Sequence, residues 1–157
     1  MCTGRPIPLP LSTWRRPLSL LTSDLDGFKP IDDALGHAAG DTVLRAVGRA
    51  LLVRTRKGDV VCRYGGDEFL VILPDMSLPD ALRRAEDLRT HVAGVEVSHA
   101  GRRLMISLSC GLVVFPDHAV VSHDLLHRAD DELYAAKNGG GNRVIAWHSG
   151  LGHGQQT

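Results

Sequence analysis

The chain has 157 residues, 43% apolar and 23% charged, with 18 basic and 18 acidic side chains. That length and composition suit one soluble globular domain with its own core. A formal charge of zero argues against a general nucleic-acid or membrane-surface binder, and no apolar run is long enough to cross a bilayer.

Residues 1–17 carry Pro6, Pro8, Pro10 and Pro17, which rule out a continuous helix and predict an extended or disordered segment. Met1–Pro10 has a basic residue but no apolar stretch after it, so it is a poor signal peptide. Leu18–Leu25 predicts a strand ending in Asp24-Leu25-Asp26-Gly27. Asp24 and Asp26, two apart, share a face of it. Phe28–Leu35 predicts a short helix with Pro30 in its first turn. Gly36-His37-Ala38-Ala39-Gly40 reads as an interruption, and Asp41 as the start of a helix with Val43, Leu44, Val47, Ala50 and Leu51 as its apolar stripe.

Arg56-Lys57-Gly58-Asp59 is a polar turn into a hairpin. The run before Arg63 and the run Phe69–Leu73 are strand-like, and Gly65-Gly66 supplies a turn through its access to positive φ. On this reading Asp67 and Glu68 begin the second strand. A helix follows from Ser77 or Pro79 to Gly94, and short strands flank Gly101. Ile106–Phe115 is apolar enough for a central strand. Ser122 opens a helix through Lys137, broken by Gly139-Gly140-Gly141. Asn142–Trp147 is a last strand, and residues 148–157 form a patternless, mobile tail. The folded unit is therefore 18–147. Its pattern predicts an α+β architecture: a mixed, mainly antiparallel sheet with helices packed over it. Cys62 and Cys110 sit in apolar runs and read as core thiols, which fits a reducing, cytoplasmic compartment.

Asp24 and Asp26 end one predicted strand, and Asp67 and Glu68 start another. If the strands are neighbours, the acids gather at one end of the sheet. Clustered carboxylates repel without a cation. Hard cations such as Mg²⁺ take oxygen ligands and are shared with substrate phosphates, where a pair of ions serves an in-line displacement. Lys29 and Lys137 lie near glycines and could face a triphosphate.

Several blocks occur in order: Asp24-Leu25-Asp26-Gly27-Phe28-Lys29, Gly36-His37-Ala38-Ala39-Gly40-Asp41, Gly65-Gly66-Asp67-Glu68-Phe69, Ser107-Leu108-Ser109-Cys110-Gly111, and Tyr134-Ala135-Ala136-Lys137 followed by Asn142-Arg143. With them the sequence resembles the GGDEF family, the diguanylate cyclases, from about Leu18 to Val144. The resemblance implies a five-stranded sheet ringed by helices, like a polymerase palm or a nucleotidyl cyclase core. It implies condensation of two GTP into cyclic di-GMP with release of two pyrophosphates. Asp24, the Leu25 carbonyl, Asp67 and Glu68 would hold two Mg²⁺ or Mn²⁺ ions, and Asp67 or Glu68 would act as the base. Lys29 and Lys137 would contact the triphosphate, Asp41 the guanine edge, and Gly65 and Gly66 would lie under the phosphates. Each domain would hold one GTP, so the implied partner is a second copy in a homodimer. Arg56 and Asp59 match the family's RxxD inhibitory site for the product.

Three departures from that pattern stand out. Asp32 occupies a guanine-side position that is usually Asn, and an ionised Asp only accepts hydrogen bonds. Gly141 stands where most members carry Arg. The family's Asp-x-Leu-Thr-Gly-Leu segment has no match, so the expectation is a shortened chain whose sensory domain is missing or separate. These departures leave a second reading, a degenerate module that binds cyclic di-GMP or GTP without turnover. A template-directed nucleotidyl transferase lacks the basic surface it would need. His123 and His127, four apart on a helix with no third ligand, read as a surface pair. His37 reads as a structural hydrogen-bonding residue, Arg83 and Arg84 as a solvated helix face, and Trp14 and Trp147 as covers for core edges.

Overall fold

The computed structural model describes residues 16–148 in full and the backbone of Cys2–Thr3. Its centre is a pair of nine-residue strands, β2 (Leu18–Asp26) and β7 (Ser107–Phe115), antiparallel over their whole length. Both read as near-continuous buried runs, because helices cover both faces of the sheet here. On the other side of β2 lies β4 (Glu68–Pro74), joined to β3 (Val60–Gly65) in a hairpin. The two-residue strand β1 (Cys2–Thr3) extends that edge, and β8 (Val144–Ala146) adds to β7 in parallel, giving the order β1-β3-β4-β2-β7-β8. Without the two-residue β1, the other five strands of this order form the mixed, mainly antiparallel sheet the sequence predicts. A separate small hairpin, β5 (Val97–His99) with β6 (Arg102–Leu104), precedes β7.

Strand alternation sorts side chains between two helical layers. Leu21 and Leu25 of β2, Phe69, Val71 and Leu73 of β4, and Leu108, Cys110 and Leu112 of β7 pack into one cluster. That cluster is closed by α2 (His37–Arg54) and α3 (Leu78–Ala93). Leu18, Leu20, Val113 and Phe115 face the other way, onto Leu125 and Ala129 of α4 (Ser122–Asn138). The short helix α1 (Phe28–Leu35) follows β2 directly and packs beside α2. Trp147 covers the edge of the α4 cluster, as expected, with the Arg128 guanidinium 4.4 Å above its ring. Among the described residues no helix is long and apolar enough to cross a membrane.

Three local readings of the sequence are corrected. The hairpin turn is Gly66-Asp67; Gly65 is the last residue of β3, opposite Glu68, with a bulge after Arg63, and neither glycine has positive φ. Helix α2 begins at His37 rather than Asp41. Gly36 alone, at φ 81°, breaks the chain, while Ala39 and Gly40 are buried inside the helix. The glycine at 40 serves close packing: a Cβ there would collide with the Asp32 carboxylate and lie 3.2 Å from the Phe28 ring. Cys62 is disulfide-bonded, not a free core thiol. It sits on β3, next to the sheet edge, where Cys2 is its backbone neighbour. Cys110, in the central strand, is the buried free thiol. The segment 1–17 with Trp14 and the tail 148–157 fall, but for Cys2–Thr3, Arg16, Pro17 and His148, outside the described residues.

Candidate active site

The register of β2 on β4 sets Asp24 directly opposite Glu68. Directly opposed residues of an antiparallel pair hold their Cβ atoms about 5 Å apart on one face. Asp67, in the adjoining turn, is tied to the same place because its carbonyl accepts from the Leu25 amide at 3.3 Å. The acids expected to converge are thus brought to one end of the sheet, on the face that α4 covers. Lys137, in the last turn of α4, forms an ion pair with Asp24, whose side chain is only 15% exposed. Burial raises the Asp24 pKa, Lys137 opposes that shift, and the charges of Asp67 and Glu68 add to it.

Helix α4 reaches this position because Gly111 of β7 has no side chain. A Cβ at 111 would overlap the Ala129 carbonyl and sit 2.5 Å from the Leu133 amide nitrogen. Gly65 has a similar purpose on a smaller scale, since its Cβ would stand 3.0 Å from Glu68 Oε2. Beside Glu68 is a cavity of about 40 Å³ lined by Thr22, Tyr64, Asp130 and Leu133. The Thr22 hydroxyl is buried there on β2. Burial raises the Asp130 pKa, and the nearby Thr22 hydroxyl offsets part of the shift.

Asp26 is not directed at the other acids. It accepts from Ser107 Oγ and Ser109 Oγ, both at 2.7 Å, and from the Asn142 amide at 2.8 Å. The loop after Lys137 is thereby pinned to β2 and β7. Gly141 in that loop has φ 71°, and a Cβ there would lie 3.0 Å from Asp26 Oδ1. The absence of an arginine at this position is therefore built into the loop's geometry. Arg143 does not reach the acids either; it folds back on the glycine turn, its Nε donating to the Gly141 carbonyl at 3.1 Å.

Helices α1 and α2 carry further predicted site residues. Lys29 is exposed and paired with Asp33 at 3.3 Å. Asp32 accepts from His37 Nδ1 at 3.0 and 3.2 Å, so its charge, unexpected at this place, is answered within the chain. Asp41 pairs with Arg45 at 3.5 Å and lines a cleft of about 350 Å³ floored by Leu44, Val61 and Phe69. Arg56 and Asp59 lie at the opposite end of the β3–β4 hairpin. Asp59 is fully buried. It accepts from the Arg56 backbone amide at 2.9 Å and from Arg56 Nε at 3.1 Å, while Arg56 Nη2 donates to the Pro74 carbonyl at 2.9 Å. Arg84, read as solvated, approaches Asp59 to 4.0 Å and is 28% exposed.

Residues 11–143 match the family model for the diguanylate cyclase GGDEF domain. The chain belongs to the GGDEF family. Diguanylate cyclase DosC of Escherichia coli is 42% identical over 86% of the chain. The chain spans 29% of that relative's length. The crystal structure of the GGDEF domain of PA1120 (YfiN or TpbB) from Pseudomonas aeruginosa superposes with a TM-score of 0.81 at 39% identity, covering 86% of this chain and 84% of that one. The GGDEF domain of DgcB from Caulobacter crescentus, solved in complex with c-di-GMP, gives 0.76 at 31% identity, over 83% and 77%.

The GGDEF family implies a divalent cation. The donors at this end of the sheet are carboxylate oxygens, which suit a hard cation. Among the described residues, however, no three acidic, histidine or cysteine side chains close on a single point. Asp24 is turned to Lys137 and Glu68 toward Gly65. A cation would have to draw both carboxylates inward and leave the ammonium for a phosphate. His123 and His127 pair separately, with Asp124 and Asp131, which agrees with a surface role. Sequence reasoning missed Thr22, Asp130, Arg89 and the polar partners of Asp26. The signal for Thr22 was a polar pair, Thr22-Ser23, inside an apolar strand; the rest are joined only by the fold.

Proposed function

We propose that this GGDEF domain, as the unit 18–147, condenses two GTP into cyclic di-GMP. The observation that carries the reading is the β2–β4 register, which opposes Asp24 to Glu68 beside Asp67 and within reach of Lys137. Asp24, the Leu25 carbonyl, Asp67 and Glu68 would hold two Mg²⁺ or Mn²⁺ ions. When bound, such ions neutralise the developing charge on the phosphate oxygens. Lys137 exchanges its contact with Asp24 for the triphosphate, and Lys29 swings from Asp33 to the same group. Asp41, at the rim of the apolar cleft, accepts from the guanine N–H donors, with Asp32 beside it. Gly65 and Gly66 leave the phosphates room. Asp67 or Glu68 takes the 3′-hydroxyl proton as the 3′-oxygen bonds to the α-phosphorus of the other nucleotide. The bond from that phosphorus to the bridging oxygen breaks, and pyrophosphate leaves. The same exchange repeated closes the ring.

One domain offers one such cleft, so two copies face each other, supplied by a sensory domain or by self-association. Arg56, whose Nε and Nη2 are held by buried Asp59 and the Pro74 carbonyl, would turn the rest of its guanidinium to the guanine edge or phosphate of the product, as the RxxD site of an inhibited cyclase would. The test is incubation of the purified chain with GTP and Mn²⁺ at low and high protein concentration. Cyclic di-GMP is expected from the wild type, rising steeply with concentration, and none from Glu68→Gln. Absence of product at every concentration, with GTP still bound, would favour the non-catalytic module instead.

A further inference from the structure

The lysine that meets Asp24 is followed, one residue on, by three consecutive glycines. Gly139, Gly140 and Gly141 close α4, and glycine loses the most freedom on ordering. Asn142 then takes a left-handed conformation, φ 49°, which costs a residue with a Cβ more than it costs glycine. Three contacts hold it there. Its amide donates to Asp26 Oδ2 at 2.8 Å and to Ser109 Oγ at 3.1 Å, and its side-chain Oδ1 accepts from Arg89 Nη1 at 2.6 Å. Arg89 stands on α3, in the other helical layer. Its side chain is only 20% exposed and is aimed by two further contacts, Nε to Glu86 Oε2 at 2.7 Å and Nη2 to Thr90 Oγ1 at 3.4 Å.

We infer that Arg89 is a positioning residue for the triphosphate side of the site, acting through Asn142 on the turn that follows Lys137. This rests on the proposed function. The guanidinium serves Glu86, Thr90 and Asn142 from three separate nitrogens in one plane, which a lysine ammonium at the end of a flexible stem cannot reproduce. Without it the Asn142 side chain loses its tether. The glycine turn then has to be ordered when the nucleotide binds, so the cost falls on binding and not on the bond-making step. Both Arg89 and Asn142 act on one contact, so their losses do not add.

The experiment titrates the full chain with an α,β-methylene analogue of GTP in Mg²⁺, and in parallel measures KM and kcat with GTP. Arg89→Lys and Asn142→Gly, which keeps the left-handed backbone accessible, are compared with wild type and with the double variant; unfolding midpoints establish that each is folded. Each single variant is expected to weaken analogue binding about tenfold and to raise KM by the same factor, with kcat within about twofold, and the double variant to be no worse than either. Folded variants that bind like wild type, or losses that multiply in the double variant, overturn the inference while leaving the proposed function standing. A wild-type chain that fails to bind the analogue overturns the proposed function, and this inference with it.

Discussion

Replacing Gly111 with alanine drives a methyl group into the backbone of α4. The new carbon would overlap the Ala129 carbonyl and stand 2.5 Å from the Leu133 amide, about 1 Å inside ordinary carbon contact. Neither atom belongs to a flexible side chain, so the helix itself must lift. It is held down by Leu125, Ala129, Leu133 and Ala136, all buried. Overpacking of this kind costs about 1–3 kcal/mol. In a chain of this size that lowers the thermal midpoint by about 3–10 °C. The lift also withdraws Lys137 from Asp24, so GTP binding should weaken together with stability. Thermal unfolding followed by circular dichroism, alongside nucleotide titration, measures both. If Gly111→Ala unfolds at the wild-type temperature and binds GTP equally well, α4 does not owe its placement to the bare backbone at 111, and the account of how Lys137 reaches the acids is wrong.

Asp32→Asn removes a negative charge beside the proposed guanine site and keeps one oxygen for His37, so GTP should bind more tightly by about 1 kcal/mol, roughly fivefold. An unchanged or weaker dissociation constant in calorimetry would refute this. His118 supplies a pH dependence. Burial lowers its pKa, and its Nδ1 accepts from the Val114 amide at 3.1 Å, with the Trp147 ring 5.1 Å away. The unfolded chain therefore binds the proton first, and stability is expected to fall as pH drops through about 6.5 toward the lower folded-state value. Asp117 opposes the shift, and Arg128 and His148 add to it. His118→Gln should flatten that part of the denaturation profile; an unaltered slope between pH 7 and 5 would show that another group titrates.

The sheet was legible because its strands announce themselves. Val60, Val61 and Cys62 before the glycines, Phe69 to Leu73 after them, and the apolar run to Phe115 admit few pairings, and alternation then dictates which side chains share a face. Once Asp24 and Glu68 are on adjacent strands, their meeting follows. Local glycine chemistry misled where a glycine answers to a distant neighbour. Gly40 reads as a helix breaker but makes room for Asp32 and Phe28, and Gly65 reads as a turn residue but makes room for Glu68. Arg89 and Asn142 are 53 positions apart, and no periodicity links them. Asp59 reads as part of a polar turn, and nothing local foretells that Arg56 and the fold will seal it from water.

The β3–β4 hairpin carries the acids at one tip and the Arg56–Asp59 clasp at the other, with six residues of strand between them. At about 3.3 Å per residue the two are roughly 20 Å apart. A molecule gripped by Arg56 cannot occupy the space of a nucleotide at Asp24. If cyclic di-GMP binds at Arg56 as proposed, it would slow turnover only by holding the domain away from a second copy or by stiffening the ribbon lengthwise. Added GTP would then fail to displace it.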